Sequence, residues 1–173
     1  NVYPNEGYWK HIEKVCRKNN IILIVDDVRT GFRIDLKGSN NFFGFSPDLI
    51  CLGKAIANGY PISALVGKDS LKESAENVYF TGTQFLNSAP MAAAKATIDE
   101  LVKQDAVTKM NNFGNLLKES LVKIAEDFDV KMIVSGVPAM PYFRIEDEDK
   151  TLHSRWVDAC LSKGLYLTDY HNH

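Results

Sequence analysis

Ile21-Ile22-Leu23-Ile24-Val25-Asp26-Asp27 is the stretch that decides the fold. Five apolar residues without a polar partner predict a strand buried on both faces, as in a parallel sheet. Asp48-Leu49-Ile50-Cys51-Leu52-Gly53 reads the same way and ends in Lys54. In open α/β sheets, ligands bind beyond the carboxyl ends of the strands. An acid at position 26 and an amine at position 54, both delivered to that rim, are therefore expected to form two halves of one chemical site.

Working outward, elements alternate. Glu6 to Lys18 places Tyr8, Trp9, Ile12, Val15 and Cys16 on one helical stripe, with Asn5 as the expected cap and Asn19-Asn20 as the stop. The loop from Gly31 to Pro47 carries Phe32, Phe42, Phe43 and Phe45 and is expected to pack down onto the core. Ile62 to Gly67 reads as a third strand, and Ser70 with Glu73 has the spacing of a capping box. Asn87-Ser88-Ala89-Pro90 leads into an Ala-rich helix, Pro90 to Lys103.

The character changes near Gln104. Val107, Met110, Phe113, Leu117, Leu121, Ile124 and Phe128 recur at three- and four-residue spacing, predicting an amphipathic helix. Two strands follow, Lys131 to Val137 and Tyr142 to Ile145, then a helix from Leu152 to Lys163 and a closing strand at Leu165-Tyr166-Leu167. The expected fold class is α/β: a mainly parallel sheet flanked by helices over residues 1–103, then a smaller α+β domain over residues 104–173.

Composition bounds the function. The 173 residues are 45% hydrophobic and 24% charged, enough for a sizeable core in an aqueous protein. A formal charge of -2 and the lack of a Lys/Arg block give no footing for nucleic acid. No apolar run is long enough to predict a membrane span, and the first residues lack the pattern of a signal peptide. Cys16, Cys51 and Cys160 are odd in number and scattered, so they read as reduced core thiols of a cytoplasmic protein. The closing His171-Asn172-His173 is too little for a metal site, and none is expected. Neither Gly-x-Gly-x-x-Gly nor Gly-x-x-x-x-Gly-Lys-Ser/Thr occurs, so the phosphate-cradling loops of nucleotide-binding α/β folds are not visible.

Taken singly, each candidate has two readings. Lys54 after a buried strand would lose hydration, which favours a free amine able to attack a carbonyl; it could equally be a solvated lysine at a helix start. Asp26 could act on a ligand, cap a helix or pair with an arginine.

The surrounding words choose between them. Ile24-Val25-Asp26-Asp27-Val28-Arg29-Thr30-Gly31-Phe32-Arg33, then residues 47–64 around Gly53-Lys54, then Thr81-Gly82-Thr83-Gln84-Phe85-Leu86-Asn87 form three ordered motifs. In order and spacing the chain resembles the class III aminotransferases, pyridoxal-phosphate enzymes of fold type I, and most closely their glutamate-1-semialdehyde aminomutase-like branch. The resemblance implies that residues 1–103 are the second half of the cofactor-binding large domain. It implies that Lys54 carries the cofactor as a Schiff base and shuttles the substrate proton. Asp26 would pair with the pyridine nitrogen, keeping it protonated so that the ring accepts electrons. Val28 would pack on one ring face. Gly82 and Thr83 would bind the cofactor phosphate from the neighbouring subunit, making the enzyme a homodimer with a shared site. Arg144 is the candidate for a substrate carboxylate, or a strand arginine paired with Glu146 or Asp147. Substrates would be a small amino acid or amine and a keto or aldehyde partner.

Departures from the family pattern matter too. Asp27 stands where glutamate is usual, and Arg29 where glutamine usually touches the cofactor's ring oxygen. Arg29 could take that role, pair with Asp27 or hold a substrate carboxylate. The chain is also shorter than the family's members and reads as a fragment. A cofactor-free remnant, acting at most as a folding or interaction module, is the alternative.

Overall fold

The structure, a computed structural model, describes residues 3–147 and 151–167. These form two compact units: Pro4–Val107, and the residues from Thr108 onward together with Tyr3.

In the first unit, helix α1 (Tyr8–Lys18) leads into strand β1 (Ile24–Asp26). A short helix α2 (Ser39–Phe43), strand β2 (Leu49–Leu52), a single 3-10 turn (Lys54–Ile56) and strand β3 (Ala64–Gly67) follow. The sheet order is β1-β2-β3. β1 and β2 run parallel with Asp26 beside Cys51, whereas β3 runs antiparallel to β2. Parallel strands need a crossover of a dozen or more residues. The span between β2 and β3 holds only one 3-10 turn, so the chain folds back instead.

The strand at residues 21–25 is not buried on both faces. Leu23 and Val25 join Cys16 and Phe45 in a core that also takes Trp9, Ile12 and Phe43. Ile22 and Ile24, on the opposite face, are 52% and 56% exposed. Alternation along a strand sends odd and even residues to opposite sides, and only the odd side meets α1 and the phenylalanine loop among the described residues. The loop does pack down, through Phe32, Phe43 and Phe45.

A second core joins Ile56, Ala57 and Ala94, with Phe32, Leu52, Ile62 and Ala64 against it. It fastens the turn after β2 to helix α4 (Ser88–Lys103). Asn87 caps that helix by accepting the Ala89 N–H at 3.1 Å. Two other expected caps do not form. At α1 the cap position is Gly7, in the left-handed region. The capping box fails because a 3-10 turn (Asp69–Leu71) precedes helix α3 (Lys72–Glu76), leaving Ser70 inside the turn rather than at the cap.

Asp48 ties three elements together. Its carboxylate accepts from Arg17 Nη1 at 2.8 and 2.6 Å, Lys68 Nζ at 3.0 Å and the Leu23 N–H at 2.8 Å. The Arg17 hydrogen bonds, then that from Leu23, hold this carboxyl well below the usual carboxylate range. Both cations are about two-fifths exposed, so the ion pairs themselves are worth little, and the backbone N–H decides the cost. Asp48→Ala is expected to lose about 1–3 kcal/mol at neutral pH, as a lower urea midpoint. A depressed carboxyl stabilises above its unfolded value near ~3.9 and loses that contribution as pH falls through the folded one. The gap between wild type and Asp48→Asn should therefore be full at pH 7 and shrink progressively below about pH 4.

In the second unit, helix α5 (Ala106–Asp127) precedes an antiparallel hairpin of β4 (Met132–Ser135) and β5 (Tyr142–Ile145), then helix α6 (Thr151–Ser162). Phe143 and Ile145 are buried. The Ile145 N–H donates to His153 Nδ1 at 3.3 Å, docking α6 on the hairpin. Leu165-Tyr166-Leu167 is not a strand; Leu165 and Tyr166 are exposed and pair with no strand among the described residues. His171-Asn172-His173 lies outside the described residues.

Candidate functional site

The carboxyl edge of β1 and β2 is where chemistry-bearing side chains collect. Because the two strands are parallel and Asp26 pairs with Cys51, Lys54 leaves β2 at the same edge at which Asp26 leaves β1. Asp26 is exposed, and its Oδ1 accepts the Val28 N–H at 3.1 Å. Val28 leans over Gly53: a Cβ built there would lie 3.2 Å from Val28 Cγ1. Packing of Val28 on a residue without a side chain brings the loop after β1 against the turn after β2. Lys54 itself has φ +45°, the left-handed region that a residue with a Cβ seldom adopts. Such conformations concentrate at functional sites, although Asn20, Phe32 and Leu86 share the feature. The Lys54 side chain is exposed rather than buried, because nothing among the described residues of this unit covers the face it leaves from.

Arg29 is half-buried, and its carbonyl accepts from Arg33 Nη1 at 3.0 Å. Burial, and then the neighbouring Arg29 charge, lowers the Arg33 guanidinium. Gly82 and Thr83 lie between α3 and α4. They sit in an exposed segment where the Phe85 N–H closes a turn on the Gly82 carbonyl at 2.9 Å. Gly82 borders an apolar cavity of about 270 Å³ with Pro61, Ile62, Phe80, Phe85 and Pro90; Asp26, Val28 and Lys54 do not line it. Arg144 lies in the second unit, half-buried on β5. Neither carboxylate suggested for it is idle: Glu146 pairs with Lys131 at 2.5 Å, and Asp147 Oδ2 accepts the Leu152 N–H at 2.6 Å.

The sequence offers Asp27 as a shortened stand-in for glutamate and a possible partner of Arg29, yet it is fully buried. Its Oδ1 takes the Thr30 hydroxyl and its Oδ2 the Ser39 N–H at 2.8 Å. The three-residue spacing from Asp27 to Thr30 is a local turn signal that was there to be read. Among the described residues, no group of His, Cys, Asp and Glu is placed to hold a metal ion.

A mixed α/β unit presenting an exposed carboxylate and an exposed amine at neighbouring strand ends, with a valine between them on a bare glycine, is suited to holding a flat, electron-poor ring. The donor set fits pyridoxal phosphate: an acceptor for a ring N–H, a primary amine for an aldehyde and an apolar side chain for a ring face.

The profile of the class III aminotransferase family matches residues 1–173, and the chain belongs to that family. The chain is 35% identical to the aminopentol aminotransferase of Sphingopyxis macrogoltabida over 92% of its length and 38% of that protein. It is 34% identical to the glutamate-1-semialdehyde 2,1-aminomutase of Methanococcoides burtonii, over 99% of its length and 40% of the relative. The solved pyridoxal-phosphate internal aldimine form of the FumI protein from Sphingopyxis sp. MTA144 superposes with a TM-score of 0.92 at 31% identity, over 99% of this chain and 42% of that one. The family works with pyridoxal phosphate and includes both aminotransferases and aminomutases. The chain spans about two-fifths of the length of these relatives.

Proposed function

We propose that the whole protein moves an amino group with pyridoxal phosphate, either between an amino donor and a keto or aldehyde acceptor or between neighbouring carbons of one molecule. The observation that carries this reading is the parallel pairing of β1 and β2, which sets Asp26 and Lys54 at one edge. When bound, the cofactor supplies an electron sink that lets a substrate carbon give up its proton.

Each side chain then has a task. The Lys54 amine holds the cofactor covalently and carries the proton to and from the substrate carbon. Asp26 would accept the ring N–H of the cofactor when it is bound, with its carboxylate oriented by the Val28 N–H donating to Oδ1. Val28 packs on the ring face, and Arg29 donates to the ring oxygen or to a substrate carboxylate. Gly82 and Thr83 serve the phosphate of a second copy, in a homodimer that shares its sites. Exposure of Tyr79, Phe80 and Leu86 around them suits an interface between copies. Arg144 takes a substrate carboxylate, since Glu146 and Asp147 are engaged elsewhere. In this reading residues 1–103 are the second half of the cofactor-binding large domain and residues 104–173 a smaller α+β domain. Three free thiols suit a reducing cytoplasm.

Mixing the protein with pyridoxal phosphate and reducing with borohydride tests the assignment. A stable label at Lys54 and none in Lys54→Ala is the expected result. No label at any lysine would leave the cofactor-free remnant as the better description.

A further inference from the structure

The strongest unused group in the first unit is Asp27, a carboxylate with no exposure at all one residue beyond Asp26. All four of its polar atoms are engaged. The Asp27 N–H donates to the Cys51 carbonyl at 2.9 Å, continuing the β1–β2 ladder by one rung. Its carbonyl accepts the Gly31 N–H at 2.8 Å. Oδ1 accepts the Thr30 hydroxyl, and Oδ2 accepts the Ser39 N–H at 2.8 Å. One residue thus fixes the end of the strand, the first turn after it and the return of the loop twelve residues later.

The surroundings are shaped to this carboxylate. A Cβ at Gly31 would meet the Asp27 carbonyl oxygen at 2.8 Å, and one at Gly38 would meet Oδ2 at 2.7 Å. Gly38 also has φ +93°, which a residue with a side chain rarely adopts. Both neighbours are therefore glycines by necessity, and the loop closes as tightly on Asp27 as backbone permits. A glutamate would push its carboxylate one methylene further into space the loop already fills.

We propose that Asp27, through Thr30, is a positioning residue for the cofactor-facing groups, setting where the Asp26 carboxylate and the Val28 side chain stand at the strand end. The inference rests on the amino-transfer reading above. The path is short: Asp27 lies between the two residues it positions, and the Val28 N–H is the donor that orients Asp26. Opening the turn at Thr30 frees residues 28–30 and takes that N–H away from the Asp26 carboxylate. Asp27 touches neither substrate nor cofactor, so its effect travels through Asp26. Outer partners that orient a directly acting group typically cost about 10- to 100-fold when removed.

The test uses the whole protein loaded with pyridoxal phosphate, in Thr30→Val, Thr30→Ser and Asp27→Ala forms. Thr30→Val keeps the side-chain shape and removes the hydroxyl, and it carries the test should Asp27→Ala not fold. Expected are an about tenfold weaker cofactor Kd, a displaced pH midpoint of the visible band of lysine-bound cofactor, and a fall in kcat larger than any change in KM. Thr30→Ser, which restores the hydroxyl, should return all three to within about twofold of wild type. A drop in Tm for Thr30→Val with Kd, band midpoint and kcat unmoved would make the lock purely architectural and overturn the proposal. Borohydride labelling of the wild type separates the two failures. Label at Lys54 with an indifferent Thr30→Val sinks this inference alone, whereas an unlabelled wild type sinks the amino-transfer reading with it.

Discussion

Lys54→Ala in the whole protein is expected to lower amino transfer by at least about a thousandfold and to erase the visible band of the lysine-bound cofactor. The proposed function asks Lys54 for two things, a covalent hold on the cofactor and the movement of a proton, and alanine can do neither. Asp26→Asn is a different kind of loss. Its shape is kept, and its amide oxygen can still accept the Val28 N–H that now orients Oδ1. On the proposed reading, what disappears is the negative charge that would face the ring nitrogen, so the ring would no longer stay protonated and would accept electrons poorly. Turnover should fall by about 10²–10³, the usual scale for one preorganised electrostatic partner, while borohydride still labels Lys54. The double variant should be little worse than Lys54→Ala alone, because groups that serve one step are not additive. Single-turnover rates with a saturating amino donor check all three. Full activity in Asp26→Asn would remove Asp26 from the site.

How much of this could be read in the chain is best judged at particular residues. The strand ends at Asp26 and Lys54 were legible because a short apolar run followed by a charge needs no long-range information. Their shared edge was legible too, through the expectation of a parallel sheet. The direction of β3 was not announced by Ile62-Ser63-Ala64-Leu65-Val66-Gly67, whose pattern is the same either way; the length of the preceding connection decides it. The exposure of Ile22 and Ile24 was not foreseen for a related reason, whereas for Lys54 the solvated reading was one of the two left open. Hydrophobicity marks a face as fit to be buried, but only neighbouring elements bury it, and α1 covers one face alone. Ser70 and Glu73 had the capping spacing, yet a 3-10 turn takes up Ser70 and leaves only Glu73 in the helix. Asp27 was underweighted because a carboxylate in a polar word looks solvated until the returning loop closes over it.

Gly114→Ala should damage the second unit. Glycine inside a 22-residue helix is costly by itself, by about 1 kcal/mol against alanine, so its place in α5 needs a reason. The reason is contact: a Cβ there would lie 1.8 Å from the Pro138 carbonyl oxygen and 2.4 Å from its carbon. Ordinary contact begins at 3.4 Å, so helix and loop would have to part by roughly 1.6 Å, and both Pro138 atoms are backbone that cannot rotate away. One helical turn on, Lys118 Nζ donates to the Gly136 carbonyl at 3.1 Å and ties down the same loop, a bond that separation would break. Overpacking of this kind costs about 1–3 kcal/mol or more, against the ~1 kcal/mol of helix propensity that alanine restores. A net loss of up to about 2 kcal/mol is the expected result, read as a lower urea midpoint. Exposed Asn115→Ala, on the same helix, should be neutral or slightly stabilising. The consequence for chemistry follows from chain order, because β5 and Arg144 begin directly after the loop that Gly114 supports. If Arg144 holds a substrate carboxylate, folded Gly114→Ala protein should raise KM for a carboxylate-bearing donor while Lys54 still takes the borohydride label. An unchanged KM for that donor would separate Arg144 from substrate recognition.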